Sequence, residues 1–230
     1  MVNFIKKDKY GVYDLVELTK VLRSENGCPW DREQDHKSIR MNFVEEVYEA
    51  CEAIDNEDTA LLLEELGDVL AQVVFHAELE TEKGVFDIDD VADGVCKKFI
   101  LRHPHVFGDV SAETSDEVLK NWDDIKRKEK NQKTHSSAMD SVARSLPSLM
   151  RAEKLCSKAK KAGLPEKGLD ELTASVVAEL SRGEEMNIAD ILMDVVRISR
   201  ILKVNPEEAL DAKNEEFIAE FKKFENADKL

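Results

Sequence analysis

The stretches that decide the fold are FVEEVYEACEAI, residues 43–54, and EELGDVLAQVVFHA, residues 64–77. In both, apolar residues recur at the three- and four-residue spacing of an amphipathic helix. Helices are predicted over residues 38–55 and 59–81, and only Asn56-Glu57-Asp58 connects them. So short a connection predicts an antiparallel helical hairpin. The apolar face predicted for its first helix consists of Phe43, Val44, Val47, Cys51 and Ile54.

Acidic residues border the apolar face of each helix. The first helix carries Glu45, Glu46 and Glu49 in an E-E-x-x-E pattern, and the second carries Glu65 and Asp68 in an E-x-x-D pattern. Residues three apart lie about 60° apart around a helix, so each pair shares a face. Packing the hairpin should therefore gather these carboxylates at one rim. Their mutual repulsion requires a compensating cation, and Mg²⁺ or Mn²⁺ prefers such oxygen ligands and suits polyphosphate hydrolysis.

The alternative for each motif is a solvated acidic face, because short glutamate motifs are common in helices and usually pair with nearby lysines. Here no Lys or Arg follows either motif within four positions on its C-terminal side. The absence of these basic partners favours a metal site over a solvated acidic face. Gly67 lies inside the second motif, where it permits a close approach of another helix or access for a ligand, although packing alone explains it equally well.

The rest of the chain is also predicted to be helical, since glycine and proline are few and alternating β-branched runs are rare. Further helices are predicted over residues 12–23, from Asp87 to Pro104, after Thr114, and over 147–162, 170–180, 184–203 and 206–224. The fold class is therefore all-α. A polar stretch without periodicity divides the chain into a domain over 1–130, a linker over 131–146 and a second domain over 147–230.

The net charge of −16 is concentrated in residues 1–130, which carry 31 acidic and 17 basic side chains. Such a surface argues against nucleic-acid polymers and membrane surfaces as partners, although solubility alone also explains excess acid. No apolar stretch predicts a membrane span or a signal peptide. The four cysteines are irregularly spaced, which predicts a reducing, cytoplasmic setting.

Other chemistries find no support in the sequence. No glycine-rich phosphate loop occurs, so metal and basic side chains would have to hold a nucleotide. Arg102 and Lys126 are candidates, with solvated surface charge as the alternative for each. No cysteine or serine lies in a nucleophile motif, which leaves metal-activated water as the nucleophile.

Several motifs in order resemble the MazG nucleoside triphosphate pyrophosphohydrolases. Besides the two hairpin stretches they are GCPWD at 27–31, RHPHVFGD at 102–109, NWDDIKRKE at 121–129 and RSLPSLMRAEKL at 144–155. The resemblance implies an all-α enzyme that converts nucleoside triphosphates to monophosphates and pyrophosphate with Mg²⁺. It also implies a homodimer whose active unit is a four-helix bundle completed by dimerisation.

The resemblance assigns roles to residues as well. Glu46, Glu49, Glu65 and Asp68 correspond to metal ligands, and Glu45 to a residue that orients or activates the attacking water. Our hypothesis is that Glu45 or Glu49 accepts the proton of that water.

Two basic residues match family positions near the triphosphate. They are Arg102 and Lys126, although Leu101 stands where a second arginine is common. That difference weakens the expected phosphate contacts on this side.

Two-domain members carry a second copy of the fold, and residues 147–230 resemble a degenerate copy. No E-E-x-x-E helix follows Val176-Val177-Ala178-Glu179-Leu180, and the E-x-x-D pattern is loosened to Glu185 and Asp190. We predict that this half assembles no metal site and serves scaffolding or dimerisation.

Two alternatives to a general triphosphate hydrolase stay open. One is a non-catalytic helical module that binds nucleotides or a partner protein through its acidic rim. The other is a hydrolase restricted to one nucleotide, such as dCTP or dUTP.

Overall fold

The computed structural model describes residues 4–112, 114–129 and 135–227. In these ranges the regular structure is helical and contains no β-strand, which confirms the all-α prediction. The helices are α1 (Val12–Arg23), α2 (Pro29–Glu33), α3 (Arg40–Asp55), α4 (Thr59–Thr81), α5 (Ile88–Arg102), α6 (Pro104–Phe107), α7 (Ser115–Glu129), α8 (His135–Asp140), α9 (Ser148–Lys161), α10 (Leu169–Leu180), α11 (Ile188–Leu202) and α12 (Pro206–Ala227). None of the described helices is long and apolar enough to cross a membrane.

Contacts within the chain divide it into two compact units, residues 1–118 and 119–230. The division falls inside α7, upstream of the domain boundary predicted at residue 130. The predicted linker lies partly outside the described residues, and its described part contains the short helix α8. The boundaries over 1–130, 131–146 and 147–230 stay predictions.

The first unit is built around the predicted hairpin, in which α3 packs along α4 and α1 packs against α4. The connection turns at Glu57, whose φ of 53° is left-handed, and Asp58 caps α4 by accepting hydrogen bonds from the backbone N–H groups of Ala60 and Leu61. A side-chain oxygen at this position satisfies N–H groups that have no partner within the helix. The short connection predicted from the sequence therefore has a specific cap.

The buried face of α3 differs from the predicted one. Ala50 and Ala53 are buried, whereas Val44, Val47 and Ile54 are exposed in the single chain. Small side chains at the contact allow two helices to approach closely, so the alanines form the seam with α4. The predicted apolar face is therefore wrong as a description of contacts within one chain.

Arg23, the last residue of α1, connects three segments of the first unit. Its guanidinium makes a two-point ion pair with Glu82, at 2.6 and 2.9 Å, and lies 5.2 Å from the centre of the Phe75 ring. It also donates hydrogen bonds to the carbonyl groups of Asp31 and Gln34. The segment containing α2 is thereby held to the C-terminal end of α4.

His36 makes a second attachment of the same segment. Its Nδ1 lies 2.8 Å from Nδ1 of His76, and its Nε2 lies 2.6 Å from Glu80 Oε1. The two imidazole rings stack with their centres 5.1 Å apart. A hydrogen bond between the two Nδ1 atoms needs a proton on one of them and a lone pair on the other.

The stability of the first unit should depend on pH through His76. Burial, and then the nearby His36, lower the pKa of His76. The folded chain therefore binds fewer protons at this residue than the unfolded chain, whose histidine pKa is about 6.5, so its stabilising contribution is complete above that pH and is lost as the pH falls. We expect the free energy of unfolding of the unmodified chain, relative to His76→Gln, to decrease from pH 7.5 to pH 5.5 in urea titrations. Parallel pH profiles of the two proteins would contradict this assignment.

The second unit packs α9, α10 and α11 around Leu172 and Val196, with α12 against α9 and α11. Asp194 is buried in this unit and lies 2.7 Å from Nη1 of Arg197. Burial opposes the charged form of Asp194, but hydrogen bonds from Ser175 and Arg197 outweigh that effect and lower its pKa. Asp194 is thus a buried charge with its hydrogen bonds satisfied, paired with a partly exposed Arg197.

Candidate metal centre

Three of the predicted ligands meet between α3 and α4. One carboxylate oxygen from each of Glu46, Glu49 and Glu65 lies within 4.8 Å of the other two. Glu65 is buried, with 7% of its surface exposed. Glu46 shares a helix face with Ala50 and Ala53, four and seven residues further on, and this places its carboxylate at the seam of the hairpin.

These carboxylates destabilise each other's charged forms. The pKa of Glu46 is raised by desolvation, by the charges of Asp68 and Glu49, and by a hydrogen bond with Glu49. The pKa of Glu65 is raised by desolvation and then by Glu49 and Asp68. No basic side chain in the described ranges forms an ion pair with any of these four residues. Among the described residues, the negative charge of the cluster is therefore uncompensated.

Asp68 lies beside this group of three. Its charge raises the pKa of both Glu46 and Glu65, yet its oxygens are outside the set that lies within 4.8 Å. Asp68 lies one helical turn after Glu65 on α4, so its carboxylate is close enough to the group of three to be a fourth candidate ligand. Gly67 precedes it, and a Cβ built there would meet no atom within 4 Å. Close packing against a helix in the described ranges is thus not the reason for glycine, and no described residue fills the space beside it.

A shallow, open cleft runs along one face of α3 beside the carboxylates. It is lined by Met41, Val44, Glu45, Tyr48, Glu49 and Glu52. Glu49 belongs both to this cleft and to the group of three, so a ligand in the cleft would lie next to the carboxylates. Glu45, Glu49 and Val44 were selected from the sequence, but Met41 and Tyr48 were not, although the spacing of residues 41, 44 and 48 places them on one helix face.

The two predicted phosphate-binding residues have different surroundings. Arg102 is the last residue of α5 and is buried, with 7% of its surface exposed, so the alternative of a solvated surface charge is wrong for it. Lys126 is an exposed residue of α7 and belongs to the second unit. Their assignment to the triphosphate stays a prediction.

Comparison with known proteins identifies the family. The sequence profile of the MazG nucleotide pyrophosphohydrolase domain matches residues 34–107, which include the whole carboxylate cluster. A Thermotoga maritima protein named nucleoside triphosphate pyrophosphohydrolase/pyrophosphatase MazG is 40% identical over 220 residues, which cover 92% of this chain and 84% of that protein. This chain belongs to the MazG family.

Further relatives differ in length. The nucleoside triphosphate pyrophosphohydrolase of Escherichia coli K12 is 40% identical over 227 residues, covering 92% of this MazG chain and 86% of the relative. The uncharacterized protein YabN of Bacillus subtilis is 42% identical over 224 residues, but the chain spans only 46% of its length. These relatives confirm two predictions, membership of the MazG family and an enzyme of the pyrophosphohydrolase type.

Proposed function

We propose that this MazG chain hydrolyses nucleoside triphosphates, ribose or deoxyribose, to nucleoside monophosphate and pyrophosphate with Mg²⁺ or Mn²⁺. The observation that carries the proposal is the group of Glu46, Glu49 and Glu65, whose oxygens lie within 4.8 Å of one another. The Thermotoga maritima and Escherichia coli relatives bear the name of this activity. Asp68 completes the proposed ligand set.

The donor set fits a hard divalent cation. All proposed ligand atoms are carboxylate oxygens, and the pKa values of Glu46 and Glu65 are raised first by desolvation and then by the neighbouring carboxylates, whose repulsion a cation would relieve. When bound, such an ion supplies charge neutralisation for the phosphate oxygens and a lowered pKa for a nearby water. Mg²⁺ is the first choice because it takes few protein carboxylates and accepts substrate phosphates as remaining ligands.

Side chains around the cleft carry out the remaining steps, which are proton transfer and charge stabilisation. Glu45 or Glu49 accepts the proton of the attacking water, since both line the cleft beside the cluster. The water oxygen forms a bond to the α-phosphorus, and the bond from that phosphorus to the bridging oxygen breaks, so that pyrophosphate leaves. Arg102 and Lys126 offset the charge that develops on the leaving phosphates.

We also propose that the active unit is a homodimer in which two hairpins complete a four-helix bundle. Large apolar side chains remain exposed on helices of the first unit, among them Val44, Val47, Leu66 and Phe99. Exposed apolar surface of this extent is typical of an interface. Residues 147–230 serve scaffolding or dimerisation without a metal site, and the free cysteines fit a cytoplasmic setting.

A panel of ribonucleoside and deoxyribonucleoside triphosphates, assayed with and without Mg²⁺, tests the function. We expect pyrophosphate as the released product and at least about a hundredfold loss of rate without a divalent ion. Release of orthophosphate alone, or nucleotide binding without turnover, would contradict the proposal, and the second result would support the non-catalytic module. Comparing kcat/KM across the panel separates a general hydrolase from one restricted to dCTP or dUTP.

A further inference from the structure

A cavity of about 340 Å³ lies within the second unit, among α8, α9, α10 and α11. It shares no residue with the carboxylate site or the cleft beside it. Its interior is mainly apolar and includes Leu155, Ala159, Leu172, Met193 and Ile201. A cavity of this volume is about twice the roughly 150 Å³ that takes up benzene, and it lies within the range of small-molecule sites.

Charged side chains line the same cavity and are mostly basic. Lys160, Lys167 and Arg197 contribute positive charge, and Glu166 is the acidic residue among the lining side chains. Lys160 pairs with Glu166 at 2.8 Å, which balances one of the three. Arg197 is in turn paired with the buried Asp194, which is not a lining residue, so Lys167 supplies the remaining positive charge of the lining next to the apolar interior.

Arg197 is held in place at this cavity. Its Nη1 lies 2.7 Å from the buried carboxylate of Asp194, which fixes the guanidinium on α11. A guanidinium has five N–H donors in a planar fork, so the bond to Asp194 leaves donors for a second acceptor. A cation fixed by a buried partner loses little entropy when it binds an anion.

We infer that this cavity binds a small organic anion, with an apolar body about the size of two fused rings and one carboxylate or similar anionic group. The apolar body occupies the space beside Leu172 and Met193, and the anionic group lies toward Lys167 and Arg197. The flexible thioethers of Met139 and Met193 adapt to the shape of the body. This site is separate from the proposed triphosphate hydrolysis and does not depend on it.

Calorimetric titration of the full chain with 2-naphthoate, and with the neutral, nearly isosteric 2-naphthamide, tests the inference. We expect 2-naphthoate to bind with one site per chain and about tenfold more tightly than the amide, the difference expected of one charge-assisted hydrogen bond. Equal affinity for the two compounds would contradict the charge assignment. Failure of both to bind would overturn the site.

Two variants and one control variant locate the binding. Ala159→Trp fills the cavity and should abolish binding of 2-naphthoate, whereas Leu192→Trp, a matched change at an exposed position of α11, should leave it unchanged. Lys167→Gln should reduce the preference for the carboxylate over the amide while the folded chain keeps its thermal transition. Unchanged binding by Ala159→Trp, or an unchanged preference in Lys167→Gln, would contradict the proposed position of the ligand.

Cys156 gives an independent readout because it lines the cavity, with Sγ 3.8 Å from Met193 Sδ. We expect saturating 2-naphthoate to slow alkylation of Cys156 by iodoacetamide, measured by peptide mass spectrometry. Cys51 and Cys96 of the first unit lie outside the cavity, so they serve as internal references and should react at the same rates with and without 2-naphthoate. Protection of all three cysteines, or of none, would argue against binding in this cavity.

Discussion

Replacing Glu46 by Gln is expected to lower kcat/KM for Mg²⁺-dependent pyrophosphate release by about two to three orders of magnitude. The substitution keeps the shape of the side chain but removes the charge of a proposed ligand, whose carboxylate lies within 4.8 Å of those of Glu49 and Glu65. Asp68→Asn should lower kcat/KM to a similar extent if Asp68 moves into the ligand set when metal binds. A smaller loss would indicate that Asp68 adds negative charge beside the cluster but does not bind the metal.

Asp55→Asn is the matched control for both variants. Asp55 lies nine residues after Glu46 on the same helix, about 180° around it, so it faces away from the cluster. Pyrophosphate release and the thermal transition should both stay close to those of the unmodified chain. Activity of Glu46→Gln and Asp68→Asn within a few-fold of the control would overturn the proposed mechanism.

The hairpin was predictable because its determinants are local in the sequence. The periodicity of residues 43–54 and 64–77, and the short connection between them, require only helix geometry. The same geometry placed Glu46 and Glu49 one turn apart, and the contact with α4 brought Glu65 to them as expected. A motif spaced by three residues on each of two adjacent helices therefore carries most of the information about the cluster.

The side of α3 that packs within the chain could not be predicted in the same way. Apolar periodicity marks surfaces that avoid water, but it does not distinguish contacts within the chain from contacts with another molecule. Ala50 and Ala53 form the seam with α4, whereas Val44 and Val47 stay exposed in the single chain. The larger residues of the predicted face are thus available for the proposed dimer interface.

Contacts between residues far apart in the chain also could not be predicted from local sequence patterns. His36 and His76 lie 40 residues apart, and Arg23 reaches Glu82 across 59 residues. The sequence gives no spacing rule for such pairs, since they depend on how the segment containing α2 lies on α4. The burial of Arg102 is of the same kind, because no feature of the neighbouring sequence shows what covers it.

The second large effect that we expect concerns Glu65, whose replacement should stabilise the metal-free chain. The pKa of Glu65 is raised, so the folded chain binds a proton there more readily than the unfolded chain, whose glutamate pKa is about 4.3. The contribution of Glu65 to the free energy of unfolding therefore falls as the pH rises through the raised pKa, and it is fully lost above that pKa. At pH 8 in EDTA, Glu65→Gln should melt at a higher temperature than the unmodified chain, and the difference should vanish near pH 4.

Mg²⁺ should reverse that order of melting temperatures. An ion that binds only the folded chain, at about 100 times its Kd, adds about 2.7 kcal/mol of stability, which amounts to roughly 5–10 °C for a chain of this size. The unmodified chain should gain this increase, whereas Glu65→Gln, which lacks one charged ligand, should gain much less. Scanning calorimetry with EDTA and with Mg²⁺ measures both shifts, and Asp55→Asn should respond like the unmodified chain. Two results would contradict the proposed metal site. One is a Glu65→Gln protein that melts below the unmodified chain in EDTA, and the other is a Glu65→Gln protein whose melting temperature Mg²⁺ raises as much as that of the unmodified chain.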